Sequence, residues 1–261
     1  MTRKNYWQDK FCIVTGAASG IGFETSKILI SEGAKVLGLD KIPAPGTVKE
    51  IFSASNNPYE VCDLSKPQEI QAVFQSFTDS KLSALFNVAA MPTNGAGIQD
   101  TDVDLWDKII DVNLRSIFLT AKYSLPLFKN NLGGCIVNVS SVHAYATMKN
   151  HAAYAASKGG VNALTTALAI ELNPLNIRVV GVAPGSIRTP MTTTNLKDDA
   201  ALLNSLGFPT DGKSIGHVGE PEEIAKVLIW CASSEASYIT GTTIQADGGL
   251  LSRLGYEKAT D

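Results

Sequence analysis

Short apolar runs alternate along this chain with longer stretches whose apolar residues recur every three or four positions. Phe11-Cys12-Ile13-Val14 is apolar and partly β-branched and runs straight into glycines, as a buried parallel strand entering a turn does. A helical stretch from Ile21 to about Ser31, stopped near Gly33, leads to a second run, Lys35 to Leu39. Ser65-Lys66-Pro67-Gln68 has the form of a capping box with proline near the first turn, and Ile70, Val73, Phe74 and Phe77 follow at helical spacing. Leu82 to Ala89 is the next strand, then comes a Pro/Gly-rich loop, Met91 to Gly97, and a long helical pattern from about Val103 to Lys129 that Pro126 is expected to kink or end. Strands at Cys135–Val139, Ile177–Val182 and Thr242–Ala246 alternate with helices at Tyr154–Leu172 and at Glu222–Ala232, the latter introduced by Pro221.

Such alternation predicts an α/β fold: a single-domain, doubly wound Rossmann fold with a parallel sheet of about seven strands and helices on both faces. No repeat or linker divides residues 1–261, so one domain is expected. The stretch from Ser186 to Val218 lacks clear periodicity and is read as a substrate lid, with a short helix around Asp198 to Leu206; a surface insertion is the alternative.

Composition narrows the function. Apolar residues make up 44% and charged residues 18%, enough for a large core, and the net charge of -3 with no basic run argues against a nucleic-acid partner. No run of apolar residues is long enough for a membrane span and the start lacks a secretory h-region, so the expected location is cytoplasmic. Cys12, Cys62, Cys135 and Cys231 are scattered without ligand spacing and read as free core thiols; His143, His151 and His217 show no metal-site pattern either, and no metal is expected.

Three groups of residues carry candidate chemistry. Thr15-Gly16-Ala17-Ala18-Ser19-Gly20-Ile21-Gly22 follows the first strand and opens a helix, where glycines let a backbone approach a pyrophosphate at the helix N-terminus; a plain tight turn is the alternative. Asp40, at the end of the second strand, can accept hydrogen bonds from ribose hydroxyls and would repel a 2′-phosphate, which favours NAD over NADP, although Lys41 is adjacent. Tyr154 and Lys158 stand four apart on one helical face, an arrangement in which an ammonium is expected to lower a phenol that ordinarily titrates near ~10. Ser140 and Ser141 follow the strand Cys135–Val139, at the carboxyl edge where open α/β sheets bind ligands.

Taken in order, Thr15 to Gly22, Cys62-Asp63-Leu64, Asn87 to Ala90, Asn113, Ser141, Tyr154, Lys158 and Pro184-Gly185 with Thr189 resemble the short-chain dehydrogenase/reductase family over nearly the whole chain. The resemblance implies an acid/base role for Tyr154, with Ser141 positioning the reacting oxygen (Ser140 being the fallback) and Asn113 supporting a water-linked proton relay. A simple hydrogen-bonding role remains the alternative for Asn113. It implies that Lys158 holds the nicotinamide ribose, Asp63 contacts the adenine, and Pro184 to Thr189 cradle the carboxamide. The implied cofactor set is Gly16, Ser19, Gly20, Ile21, Gly22, Asp40, Asp63, Leu64, Asn87, Ala89, Tyr154, Lys158, Pro184, Gly185, Ile187 and Thr189. Ala90 departs from the family, which often has glycine there, and puts the detailed role of that loop in doubt.

The expected reaction interconverts a secondary alcohol and its carbonyl, with a weak similarity to sugar and polyol dehydrogenases. His143 and His151 bracket the loop between Ser141 and Tyr154 and are the candidate substrate residues. A 3-oxoacyl carrier-protein reductase and a steroid or small-ketone reductase are the enzyme alternatives, and a non-catalytic NAD-binding sensor is the alternative of another class. The resemblance also implies a homotetramer, for which the Ala- and Gly-rich stretch Tyr154–Leu172 and a possible edge strand at Thr242–Leu250 offer surfaces.

Overall fold

The computed structural model describes residues 6–193 and 217–252. Its centre is a seven-stranded, wholly parallel sheet in the order β3-β2-β1-β4-β5-β6-β7. The strands are β1 (Phe11–Thr15), β2 (Lys35–Asp40), β3 (Tyr59–Val61), β4 (Leu82–Asn87), β5 (Gly134–Val139), β6 (Ile177–Pro184) and β7 (Thr243–Ala246). The helices are α1 (Gly20–Ser31), α2 (Gly46–Ala54), α3 (Pro67–Ser76), α4 (Val103–Ile110), α5 (Ser116–Asn130), α6 (Ala152–Leu172), a single turn α7 (Pro190–Thr193) and α8 (Pro221–Ala232).

Successive strand residues point to opposite faces, and here both faces are apolar. Cys12 and Val14 pack with Val36, Phe86, Val137, Val180 and Val182 beneath α1, α2 and α8. Ile13 packs with Leu37, Leu85, Ile136 and Val179 beneath α3, α5 and α6. The single-domain, doubly wound Rossmann fold read from the sequence is therefore what the chain adopts, and strand order reverses between β1 and β4, so the carboxyl ends of these strands open a crevice. All four cysteines are free and buried; burial pushes the Cys62 and Cys135 thiols up to about 12 and Cys231 to about 11.

Several local expectations are corrected. The long helical pattern does not break at Pro126, which lies inside α5; it breaks earlier, at a π-helical turn over Asp111–Arg115. Pro126 removes one bond to the carbonyl of Lys122, and the packing of Leu119, Leu127 and Phe128 keeps the helix continuous through that gap. The proposed capping box does not form: Lys66 is the N-cap of α3, Ser65 Oγ donates to Asp63 Oδ1 at 2.7 Å, and the real box is on α8, between Glu220 and Glu223. Both α2 and β3 went unpredicted. The lid helix expected around Asp198 to Leu206 lies outside the described residues.

Candidate active site

The glycine turn is shaped by what a side chain would strike. Gly16 (φ +71°) and Gly20 (φ +53°) adopt left-handed backbone, and a Cβ on Gly16 would sit 2.9 Å from Ala89 Cα. At Gly22 a Cβ would collide with the Gly16 carbonyl. The chain thus doubles back tightly and delivers the start of α1 to the crevice. Ser19 caps that start without a side-chain hydrogen bond, and the first turn holds no acid, so its amides remain available to an anion. Asp40 closes the loop from the next strand, accepting from Ala18 N at 3.1 Å.

These residues line a cavity of about 390 Å³, and the same cavity gathers most of the sequence-assigned set. Gly16, Ser19, Gly20, Ile21, Gly22, Asp40, Asp63, Leu64, Ala89, Pro184, Gly185, Ile187 and Thr189 are in its wall, together with Ser141, Tyr154 and Lys158. Asp63 is held by its neighbours: its carboxylate accepts from Ser65 N and Oγ, and its own N–H donates to Glu69 Oε2 at 2.8 Å. Ala90 stands in the wall beside Ala89, so the loop does approach the cavity despite the methyl group.

Asn87 is not in that wall. Its side chain is buried, with Nδ2 donating to Asn138 Oδ1 at 2.9 Å and Oδ1 accepting from Thr120 Oγ1 at 2.8 Å; Asn138 Nδ2 in turn donates to Thr165 Oγ1 at 3.0 Å. The Asn87 side chain is thus committed to a polar seam joining α5, β4, β5 and α6.

At the other side of the cavity, α6 presents Tyr154 and Lys158 one turn apart. The Lys158 ammonium is buried, donates to Val139 O at 2.8 Å and lies 5.7 Å from the centre of the Tyr154 ring. Burial without a carboxylate partner lowers its pKa to about 8. For Tyr154 the expectation is overturned: burial raises the phenol above its ordinary 10, and the opposing pull comes from the Ser141 hydroxyl rather than from the lysine. The two serines separate cleanly. Ser140 Oγ donates to the Lys158 carbonyl at 3.2 Å, whereas Ser141 Oγ accepts from His143 N at 3.2 Å, which leaves its proton directed towards the Tyr154 oxygen.

Asn113 sits in the π-helical turn, buried. Its side chain brackets the Met91 backbone, accepting from Met91 N at 2.7 Å and donating to Met91 O at 3.0 Å, and also donates to Ser157 Oγ at 3.1 Å. Ser157, which the sequence reading passed over, donates onward to the Tyr154 carbonyl at 2.7 Å. Asn113 therefore ties loop Met91–Gly97 to the helix that carries Tyr154. His143 and His151 come together beside Tyr154 and outside the cavity wall: their rings stack with centroids 4.7 Å apart, and His143 meets Tyr154 edge-on at 5.5 Å.

A Rossmann crevice with a glycine cradle at one end and a Ser-Tyr-Lys group at the other is the arrangement of a nucleotide-dependent oxidoreductase. Residues 16–251 match a family profile described as enoyl-(acyl carrier protein) reductase. The chain is 36% identical to the 3-oxoacyl-[acyl-carrier-protein] reductase FabG of Thermotoga maritima, covering 94% of this chain and 98% of that one. It is 35% identical to the cyclopentanol dehydrogenase of Comamonas sp., covering 92% and 96%. The crystal structure of gox2181 superposes with a TM-score of 0.87 at 27% identity, covering 96% of this chain and 98% of that chain. The chain belongs to the short-chain dehydrogenase/reductase family, whose members are oxidoreductases of alcohols and carbonyls that generally bind NAD(P).

Proposed function

We propose that this protein is an NAD-dependent dehydrogenase that interconverts a small secondary alcohol and its ketone. The observation that carries this reading is the convergence of Ser141, Tyr154 and Lys158 with the glycine turn on one cavity. The cradle fits a dinucleotide, because the glycines leave room only for backbone and the start of α1 offers unshared amides to a pyrophosphate. Gly16, Ser19, Gly20, Ile21 and Gly22 would hold the phosphates, Asp40 the adenosine ribose, Asp63 and Leu64 the adenine, Lys158 the second ribose, and Pro184, Gly185, Ile187 and Thr189 the carboxamide. The bound nicotinamide supplies a hydride acceptor or donor.

In this reading Ser141 donates to the substrate oxygen and fixes it against Tyr154, whose phenolate removes the hydroxyl proton during oxidation and whose phenol returns it during reduction. Lys158, fixed by Val139 O, would hold the nicotinamide ribose one helical turn away, while the Ser141 hydroxyl is the group that favours the phenolate. Asp40 supports NAD, since a carboxylate in the cavity wall would repel a 2′-phosphate. A cyclic or otherwise compact alcohol is supported by the likeness to cyclopentanol dehydrogenase, and 3-oxoacyl reduction is the second reading, supported by the likeness to FabG. Assembly as a homotetramer is part of the proposal, supported by exposed Phe118 on α5 and Ile170 on α6, and light scattering reads it directly.

The test is reduced-nicotinamide absorbance with NAD or NADP and a panel of cyclic alcohols, polyols, hydroxy acids and 3-oxoacyl thioesters, using wild type and Tyr154→Phe. Turnover with NAD is expected on an alcohol and should fall ~10²-fold or more in the variant while NAD binding persists. Equal behaviour of the two proteins would refute the acid/base assignment.

A further inference from the structure

The reaction as derived makes no use of the two histidines stacked beside Tyr154. His143 lies in the 3₁₀ turn Val142–Ala144 directly after Ser141, and His151 is the N-cap of α6, so both are placed by the elements that place Ser141 and Tyr154. The rings are nearly parallel, at 8°, and His143 meets the Tyr154 ring at 86°. The stack therefore adjoins the acid/base itself, with His143 in contact with both Tyr154 and His151. Thr93 Oγ1 donates to Asn150 O at 3.3 Å, bracing the segment before His151 against loop Met91–Gly97.

Hydrogen bonding sets what the outer ring offers. His151 Nδ1 lies 2.7 Å from Lys149 O, and a carbonyl only accepts, so Nδ1 carries a proton. In the neutral ring Nε2 is then a bare acceptor. His143 Nδ1 is engaged with Thr147 Oγ1 at 2.8 Å, and burial together with His151 lowers its pKa to about 4, so this ring is neutral at ordinary pH. The Nε2 atom of the neutral His151 ring can therefore take a hydrogen-bond donor.

We propose that His151, backed by His143, accepts a hydrogen bond from a second hydroxyl of the substrate, so that the preferred substrates are diols or polyols with one hydroxyl at Tyr154 and another at the histidine pair. This rests on the reading of Tyr154 as the acid/base.

Two measurements on the full chain test it. The first compares NAD-dependent oxidation of cyclohexanol, trans-1,4-cyclohexanediol and trans-4-hydroxycyclohexanecarboxylate by wild type, His151→Phe and His151→Gln. Wild type is expected to favour the diol, and His151→Phe to lose about tenfold in kcat/KM for the diol, mostly through KM, while cyclohexanol is unaffected. His151→Gln, which keeps an acceptor, should recover part of the loss. An equal loss on diol and cyclohexanol, or a wild-type preference for the carboxylate, would overturn the proposal. The second is ¹⁵N NMR of imidazole-labelled protein, in which His151 should show the Nδ1–H tautomer and its Nε2 signal should move with the diol and stay fixed with cyclohexanol. If no alcohol turns over, the dehydrogenase reading fails by itself; the NMR experiment still decides the inference, an unmoved Nε2 signal rejecting it.

Discussion

Replacing Lys158 with methionine is expected to abolish turnover and to change how stability depends on pH. The lysine is 1% exposed, and burial lowers its pKa from 10.5 to about 8. At ~1.4 kcal/mol per pH unit that shift means the charged form costs the folded state about 3 kcal/mol. The sign follows from proton counting. Between pH 8 and 10.5 the unfolded chain binds more protons at this position than the folded one, so stability rises with pH across that window. The penalty is whole below the folded pKa and disappears above the unfolded one. Methionine has similar volume and no charge, and it forfeits the bond to Val139 O, a loss of ~1–3 kcal/mol at any pH. The two effects nearly offset at neutral pH, so the variant should match or modestly exceed wild type there. From pH 7 to pH 10 the wild type should gain about 2 to 3 kcal/mol on it. Urea unfolding of the nucleotide-free proteins, followed by the fluorescence of Trp7, Trp106 and Trp230, measures this directly. A stability difference independent of pH, or one moving in the variant's favour as pH rises, would refute the reasoning.

Asp40→Ser removes the carboxylate proposed to hold the ribose and should shift the NADP-to-NAD ratio of kcat/KM at least about tenfold towards NADP, read by initial rates with each nucleotide. Gly22→Ala sets a methyl group against the Gly16 carbonyl and should cost about 1–3 kcal/mol in urea unfolding and weaken NAD in a fluorescence titration. Asn138→Ala leaves Asn87 Nδ2 and Thr165 Oγ1 without their partners and should destabilise by about 2–4 kcal/mol, with NAD affinity changing less than stability. Because burial raises the Tyr154 phenol above its ordinary value, the phenolate fraction grows throughout pH 6 to 9, so alcohol oxidation should accelerate over that range and ketone reduction should not.

The sequence displayed the fold wherever both sheet faces are buried, because Phe11–Val14, Cys135–Val139 and Ile177–Val182 must then be continuously apolar. It hid β3 and α2, since Glu60 and Val61 are exposed on a three-residue edge strand and α2 buries only Val48 and Phe52. The glycine turn, Ser141, Tyr154 and Lys158 were legible because their chemistry depends on spacing along one or two elements. Features that depend on partners far away in the chain were not. Nothing near Asn113 announces the Met91 backbone that claims its amide, and the π-helical turn was hidden behind the more conspicuous Pro126. Asn87 stands beside cavity-lining residues, but nothing in the sequence signals that its side chain finds Asn138 across the sheet. Ser157 carried a signal, one residue before Lys158 and three after Tyr154, that spacing alone marks as within one helical turn of both.

The polar seam from Thr120 through Asn87 and Asn138 to Thr165 works as a fixture for assembly. Asn87 and Asn138 are register partners on β4 and β5, so sliding either strand by one residue would turn its amide to the opposite face and strand the other in the core. The same bonds anchor α6 to the strand that leads into Val88–Met91, two parts of the molecule whose mutual placement aligns the proposed reacting groups. Alignment of the reacting groups is thereby set deep in the sheet, before any loop is considered. Loops above it are free to diverge in length and composition without disturbing that alignment, which makes this scaffold a good recipient for grafted substrate loops.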